Sequence, residues 1–267
     1  MIDFPNGKIN LGLHVTSKRE DGFHNLESIF YPVKVNDALE IIVKRGSGKV
    51  NFQTEGLSIE GEVENNLIVK AVKNFGVKTF DYDIFLLKKI PMGGGLGGGS
   101  SNGTFTLKLL QKLNALQTNV NLFEASMSLG SDCGFFVSNK PSLVKGRGEI
   151  VSEIPLDLKG YYLKLVFPKV HVSTKVTFCK IKPINRPIDY KKVVSQPPKQ
   201  WSEFLINDFE EGVTNEFPQL KKIKSNLINH GADYASMSGS GSSFYGIYNS
   251  EKVYEQATEF EEFNIPL

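Results

Sequence analysis

Pro91-Met92-Gly93-Gly94-Gly95-Leu96-Gly97-Gly98-Gly99-Ser100-Ser101 packs six glycines into seven positions, broken only by Leu96. Glycine tolerates positive φ and carries no Cβ, so its backbone N–H groups can converge on an anion. Upstream, Asp83 to Ile90 reads as a strand; downstream, a helix starting around Ser100 carries Leu109, Leu110 and Leu113 inward. A helix beginning there adds its N-terminal dipole and unsatisfied donors, a geometry that suits phosphate. Ser100 and Ser101 could donate to phosphate oxygens or ligate Mg2+. A flexible linker is poorly served by Leu96 and by the flanking strand and helix signals. The Walker pattern needs Lys after the last Gly, where Ser100 stands. Gly93, Gly95 and Gly98 match a dinucleotide fingerprint, but the acidic residue expected about 20 positions on is missing. By elimination the segment is a third kind of phosphate loop.

Working outward, the first third of the chain reads as a mostly antiparallel sheet. Ile9, Leu11, Leu13 and Val15 alternate with Asn10, Gly12 and His14, the period of a half-buried strand, and Ile29 to Val35, Leu39 to Val43 and Val50 to Gln53 follow. A helix spans Asn66 to Phe75, capped by Asn65 or Asn66 and stopped by Gly76. Another opens at Asn121, with Glu124 three residues on, and stops near Gly130. After about residue 150 the pattern restarts. Tyr161 to Val166 is a strand, Ile181 to Pro198 an irregular connection, and Trp201 to Gly212 and Pro218 to His230 are helices, the second with Gly231 as its stop. Then come a strand, the turn Ser238-Gly239-Ser240-Gly241-Ser242, a strand at Phe244 to Tyr248 and a last helix. The expectation is two α+β lobes, 1–152 and 153–267.

Composition limits the function classes. The 267 residues carry 31 Lys and Arg against 29 Asp and Glu, a net charge of +2, which argues against nucleic acid as the main partner. With 40% hydrophobic residues and 19 Phe, the chain can offset its ordering entropy and fold. No apolar stretch nears the roughly 20 residues of a membrane span, and Met1 to Pro5 lacks the marks of a signal peptide. Two cysteines, Cys133 and Cys179, support neither a disulfide framework nor a Cys-rich zinc site. A soluble, cytoplasmic protein is expected, without membrane or nucleic-acid partners.

Three motifs in order, Lys8-Ile9-Asn10-Leu11, Pro91 to Ser101 and Ser238 to Ser242, resemble those of the superfamily of galactokinase, homoserine kinase, mevalonate kinase and phosphomevalonate kinase. Glu20-Asp21-Gly22-Phe23-His24, Asn65-Asn66-Leu67-Ile68, Leu129-Gly130-Ser131-Asp132 and Gly146-Arg147-Gly148-Glu149 look like its branch acting on a methylerythritol that carries a cytidine diphosphate. The resemblance covers nearly the whole chain, least at 180–215. It implies an N-terminal ribosomal-protein-S5-like ATP-binding domain and a C-terminal ferredoxin-like α+β domain. The implied reaction moves the γ-phosphate of ATP, with Mg2+, to the 2-hydroxyl of the methylerythritol unit, in the non-mevalonate isoprenoid pathway.

The same resemblance implies roles that the residues alone do not. Asp132, otherwise a cap or turn residue, becomes the catalytic base; Lys8, otherwise a solvated strand end, becomes the second catalytic residue, stabilising charge on the transferring group. Pro91 to Ser101 hold ATP, with Asn65 and Leu67 near adenine. Phe23 and His24 recognise cytosine, Phe178 is the second stacking aromatic with Thr174 nearby, and Asn10 and Gly239 lie on the substrate side. Without it, Phe178 reads as core. Phe23 stands where the family usually has Tyr, Gly134 where it has Pro and Gly7 where it has Ala. The metal ligands remain open among Ser100, Ser101 and a displaced carboxylate, and the protein is either a monomer or a homodimer. Superfamily kinases acting on homoserine or mevalonate have substrates with no base for Phe23 and His24 to stack on, a catalytically dead nucleotide sensor would not need both Lys8 and Asp132, and a dehydrogenase falls with the missing acidic residue.

Overall fold

The computed structural model describes residues 1–172, 177–178, 181–249 and 260–267. In chain order the strands are β1 Ile2–Asp3, β2 Asn6–Lys18, β3 His24–Asn36, β4 Ala38–Arg45, β5 Val50–Gly56, β6 Phe80–Lys88, β7 Ser142–Gly146, β8 Ile150–Glu153, β9 Tyr162–Phe167, β10 Tyr234–Met237, β11 Phe244–Tyr248 and β12 Glu261–Pro266. The helices are α1 Leu67–Phe75, α2 Gly98–Lys112, α3 Leu122–Leu129, α4 Phe135–Ser138, α5 Tyr190–Val194, α6 Glu210–Glu216 and α7 Pro218–Asn229. The chain divides into two compact α+β units, each discontinuous in sequence.

One unit comprises Met1–Gly7, Val35–Met92 and Gly97–Lys140. Its sheet runs β1-β4-β6-β5, with β5 parallel to β6 and the other pairs antiparallel. Strand β6 alternates cleanly: Tyr82, Ile84 and Leu86 are buried while Phe85 and Leu87 are exposed, the period-2 pattern of a sheet with one covered face. Helix α1 lies against α2 and α3. It starts at Asn66, whose side chain accepts from the Ile68 N–H at 2.9 Å, and it buries Ile68, Val69, Ala71 and Val72. Asn121 caps α3 in the same way, accepting from Phe123 and Glu124.

The other unit comprises Lys8–Lys34, Gly93–Leu96 and Pro141–Leu267. It holds two sheets, ordered β2-β3-β7-β8 and β10-β11-β9-β12. Central β9 pairs antiparallel with β11 and β12. Helix α7 packs on β10 and β11, and Leu220, Ile223 and Leu227 join Val166, Met237 and Phe244 in the core.

Several expectations need correction. The opening strands do not form one antiparallel sheet: β2 and β3 pair in one, β4 and β5 belong to another, and β5 runs parallel to its neighbour. The helix expected at 201–212 is turns as far as Phe209. There Asn207 makes a parallel bridge to Leu13, and its side chain binds the carbonyls of Met237 and Gly239 at 2.8 Å, so tertiary hydrogen bonds replace helical ones. Within the supposed irregular connection, Asp189 caps the short helix α5. Strands β7, β8 and β12 were unexpected, and the helix expected after Tyr248 falls on 250–259, outside the described residues.

Candidate active site

In the first unit the strand–loop–helix passage is built around a buried carboxylate. Lys88 continues the buried phase of β6, and its ammonium donates to Asp37. Asp37 also accepts from Asn102 Nδ2 at 2.8 Å and from the N–H groups of Lys89 and Ile90 at 2.7 and 2.8 Å. The three side chains are almost wholly buried, so each polar group must be met inside the protein. Burial lowers the Lys88 pKa, and the Asp37 charge opposes that.

Beyond Pro91, Gly97 takes a left-handed φ of 68° as N-cap and α2 begins at Gly98, two residues earlier than expected. The first i→i−4 bond of the helix is Ser101 N–H to Gly97 O, so the N–H groups of Gly98, Gly99 and Ser100 precede it at the positive end of the dipole. A Cβ on Gly98 would stand 2.9 Å from Lys88 Nζ, whereas one on Gly99 would meet nothing within 4 Å. Gly99 also lines a cavity of about 240 Å³, together with Asn65, Asn66, Leu67, Met92 and Lys88. A helix N-terminus bordering a cavity through Gly99 fits a nucleotide phosphate. Ser100 is half-buried and hydrogen-bonds the Cys133 thiol, while Ser101 Oγ is fully buried with no hydrogen-bond partner.

Asp132 is half-buried, in the turn between α3 and α4. Thr104 Oγ1 ties that turn to α2 by donating to the Cys133 carbonyl at 2.8 Å. Burial pushes the Cys133 thiol up to about 12, so it stays a neutral packing group. Gly134 is helical at φ −57°, and a Cβ there would lie 2.5 Å from Met127 Sδ and 3.0 Å from the Phe123 ring. Its small size lets the start of α4 sit tight on α3.

In the second unit the polar phase of β2 is buried as completely as the apolar phase: Lys8, Asn10 and His14 are 1–2% exposed. The half-buried strand expected from alternation is therefore wrong, because every polar group on the other face finds a partner. Lys8 Nζ donates to Asn10 Oδ1 at 2.5 Å and to the Gly95 carbonyl at 3.0 Å, and lies 4.4 Å from the centre of the Phe30 ring. Asn10 Nδ2 donates to Ser28 Oγ at 2.9 Å, and Ser238 Oγ donates to the same Gly95 carbonyl at 2.9 Å. Gly95 (φ 74°) must be Gly, since a Cβ would fall 2.0 Å from the Ser238 carbonyl. Gly239 packs over it, its φ at 58°. His14 donates from Nε2 to the Phe204 carbonyl, and its Nδ1 accepts from Arg186, which also holds Asp208 at 2.8 and 3.0 Å. Burial pushes Asp208 upward, but the hydrogen bonds donated by the Val15 N–H and by Arg186 outweigh it and hold the carboxyl below its ordinary value.

Of the aromatic residues, His24 stacks on Phe178 with ring centres 5.3 Å apart, and Phe178 meets Phe209 edge-on at 4.7 Å. Phe178 thus touches the core and His24 together. Phe23 is 52% exposed, with the Arg147 guanidinium 3.7 Å above its ring centre. Thr174 lies outside the described residues. The reading from sequence missed Asp37, Lys88, Asn102, Ser28 and Arg147. Lys88 left a signal, a charge in the buried phase of an alternating strand, and Arg147 stands in the Gly146 to Glu149 motif; Asp37 looks like any turn aspartate.

Residues 66–139 match the GHMP kinases N terminal domain and residues 199–264 the GHMP kinases C terminal family. A 4-diphosphocytidyl-2-C-methyl-D-erythritol kinase of Bacteroides fragilis is 46% identical over 258 residues, covering 94% of this chain and 93% of that protein. A crystal structure of 4-(cytidine 5'-diphospho)-2C-methyl-D-erythritol kinase superposes with a TM-score of 0.77 at 29% identity, covering 92% of this chain and 89% of the other. A homoserine kinase from Cytophaga hutchinsonii shares the fold at 16% identity, with a TM-score of 0.61 and coverage of 93% and 86%.

Proposed function

The chain belongs to the 4-diphosphocytidyl-2-C-methyl-D-erythritol kinases among the GHMP kinases, and from that premise we propose how its residues serve the reaction. It is an ATP-dependent kinase of isoprenoid-precursor synthesis, acting on a small molecule that carries a cytidine diphosphate. The observation that carries this is the 46% identity along 94% of the chain; the homoserine kinase likeness, at 16% identity, speaks for the fold alone.

The acceptor is the 2-hydroxyl of the methylerythritol unit. Asp132 accepts its proton as the γ-phosphoryl group transfers, and Lys8 stabilises the charge on that group. The N–H groups of Gly98 to Ser100 and the α2 dipole hold ATP phosphates, supported by the open face of Gly99. The adenine sits in the cavity beside Asn65, Leu67 and Met92. Mg2+, when bound, neutralises phosphate charge. Ser100, Ser101 or a displaced carboxylate would hold the ion beside the phosphates. Half-buried Ser100 is a better-placed hydroxyl ligand than fully buried Ser101. On the substrate side Phe23, His24 and Phe178 take the cytosine, with Thr174 nearby, and Asn10 and Gly239 border the remainder. The lobes correspond to ribosomal-protein-S5-like and ferredoxin-like folds, and the enzyme works in the cytoplasm as a monomer or homodimer.

ADP release from Mg-ATP with the cytidyl substrate, beside homoserine and mevalonate, tests the proposal. Turnover of the cytidyl substrate alone is expected. Turnover of either other acceptor in its place would overturn the substrate assignment, and failure of all three with ATP still bound would favour a nucleotide sensor.

A further inference from the structure

Phe23 is an exposed aromatic in the loop that leads into β3, and it has no hydroxyl by which a neighbour could fix its ring. The fold supplies another means. Strand β3 pairs with β7 so that Leu26 faces Gly146, which brings the β7–β8 turn alongside the Phe23 loop. That turn needs glycine twice, at Gly146 (φ 71°) and Gly148 (φ 117°). Between them Arg147 lays its guanidinium 3.7 Å above the Phe23 ring centre.

The surrounding charges hold this stack from both sides. The Glu149 carboxylate accepts from the Arg147 N–H, and Arg147 stands 3.8 Å from Asp21. Asp21 in turn accepts from the Phe23 N–H at 3.1 Å and from Arg19 Nε at 3.2 Å. Ring and guanidinium therefore share one anchor. A flat cation on a ring face is attracted by the π electrons, and with one face covered the ring still keeps half its surface open.

We propose that Arg147 is a positioning residue for nucleobase recognition: its guanidinium pins the Phe23 ring from one side and so presents the other face to the cytosine of the substrate. This rests on the assignment of Phe23 to the base site in the proposed function.

The test is a kinetic double-mutant cycle on the full chain with Mg-ATP and the cytidyl substrate. Arg147→Ala should raise KM for that substrate by about two- to fivefold, the range of an exposed cation–π contact, with kcat and the KM for ATP unchanged. Arg147→Lys, which keeps the charge but not the flat stack, should recover less than half of the loss. In a Phe23→Leu background Arg147→Ala should add nothing, because its effect passes through the ring. An undiminished effect in that background, or an unchanged KM in the single variant, overturns the inference while leaving the proposed function standing. If the unaltered protein does not turn over the cytidyl substrate, the proposed function fails and takes this inference with it.

Discussion

Replacing Asp37 with Asn should be far more damaging than replacing its partner Lys88 with Met. One Asp37 oxygen accepts from the Lys89 and Ile90 N–H groups, the other from Lys88 and Asn102. An asparagine has one acceptor oxygen and one NH2. Whichever way it turns, one pair of donors faces another donor, and the Lys88 ammonium loses its counter-charge in a buried site. Removing one partner of a buried ion pair costs about 3–5 kcal/mol. Lys88→Met leaves Asp37 with three of its four donors, so the loss should be nearer about 1.5–3 kcal/mol, the worth of a hydrogen bond to a charged group. Urea denaturation of both single variants and the double variant measures this. The double variant should be more stable than Asp37→Asn, because it removes the stranded cation. The Asp37→Asn deficit should also shrink as pH rises toward about 10, the ordinary lysine value, since a neutral amine needs no counter-charge. Equal losses in the two single variants, or a deficit that does not change with pH, would refute this reasoning.

Gly95→Ala should destabilise the protein and abolish turnover, because its Cβ would overlap the Ser238 carbonyl at 2.0 Å; Gly99→Ala, with open space, should keep the thermal midpoint but raise KM for ATP. Asp208 has a lowered folded pKa, so its contribution is present above the unfolded carboxylate value and is lost as pH falls through the folded one. Wild type should therefore lose its advantage over Asp208→Asn on acidification below about pH 4, read by urea midpoints. In a Cys179→Ser background, Cys133 should resist thiol reagents at pH 8 in the folded protein and react in urea, since the buried thiol sits at about 12.

Local signals carried much of the fold. Alternation in Ile9 to Val15, the Asn66 and Asn121 caps and the glycine-rich start of α2 act over a few residues, and each recurs in the structure at nearly the expected place. Tertiary partners were not legible. Nothing local shows that the polar phase of β2 is buried, because that depends on Ser28, Gly95 and Ser238, far along the chain. The same holds for the segment near Asn207, whose hydrogen bonds run to β2 and to the Gly239 turn. At the candidate site the phosphate loop announced itself through composition, while Lys8, Asp132, Phe178 and His24 gained meaning only from the resemblance of whole motifs. Arg147 stands in the Gly146 to Glu149 motif, but nothing local gives it a role, since its partner Phe23 is more than a hundred positions away.

The most direct measurement of the central claim is the rate of phosphoryl transfer to the cytidyl substrate by Asp132→Ala, with ATP binding followed in parallel. If Asp132 is the base, kcat should fall by at least about 100-fold, the lower end for a general base, while ATP affinity is unchanged. A variant that keeps its rate within about tenfold of wild type would contradict the assignment of Asp132 as the base.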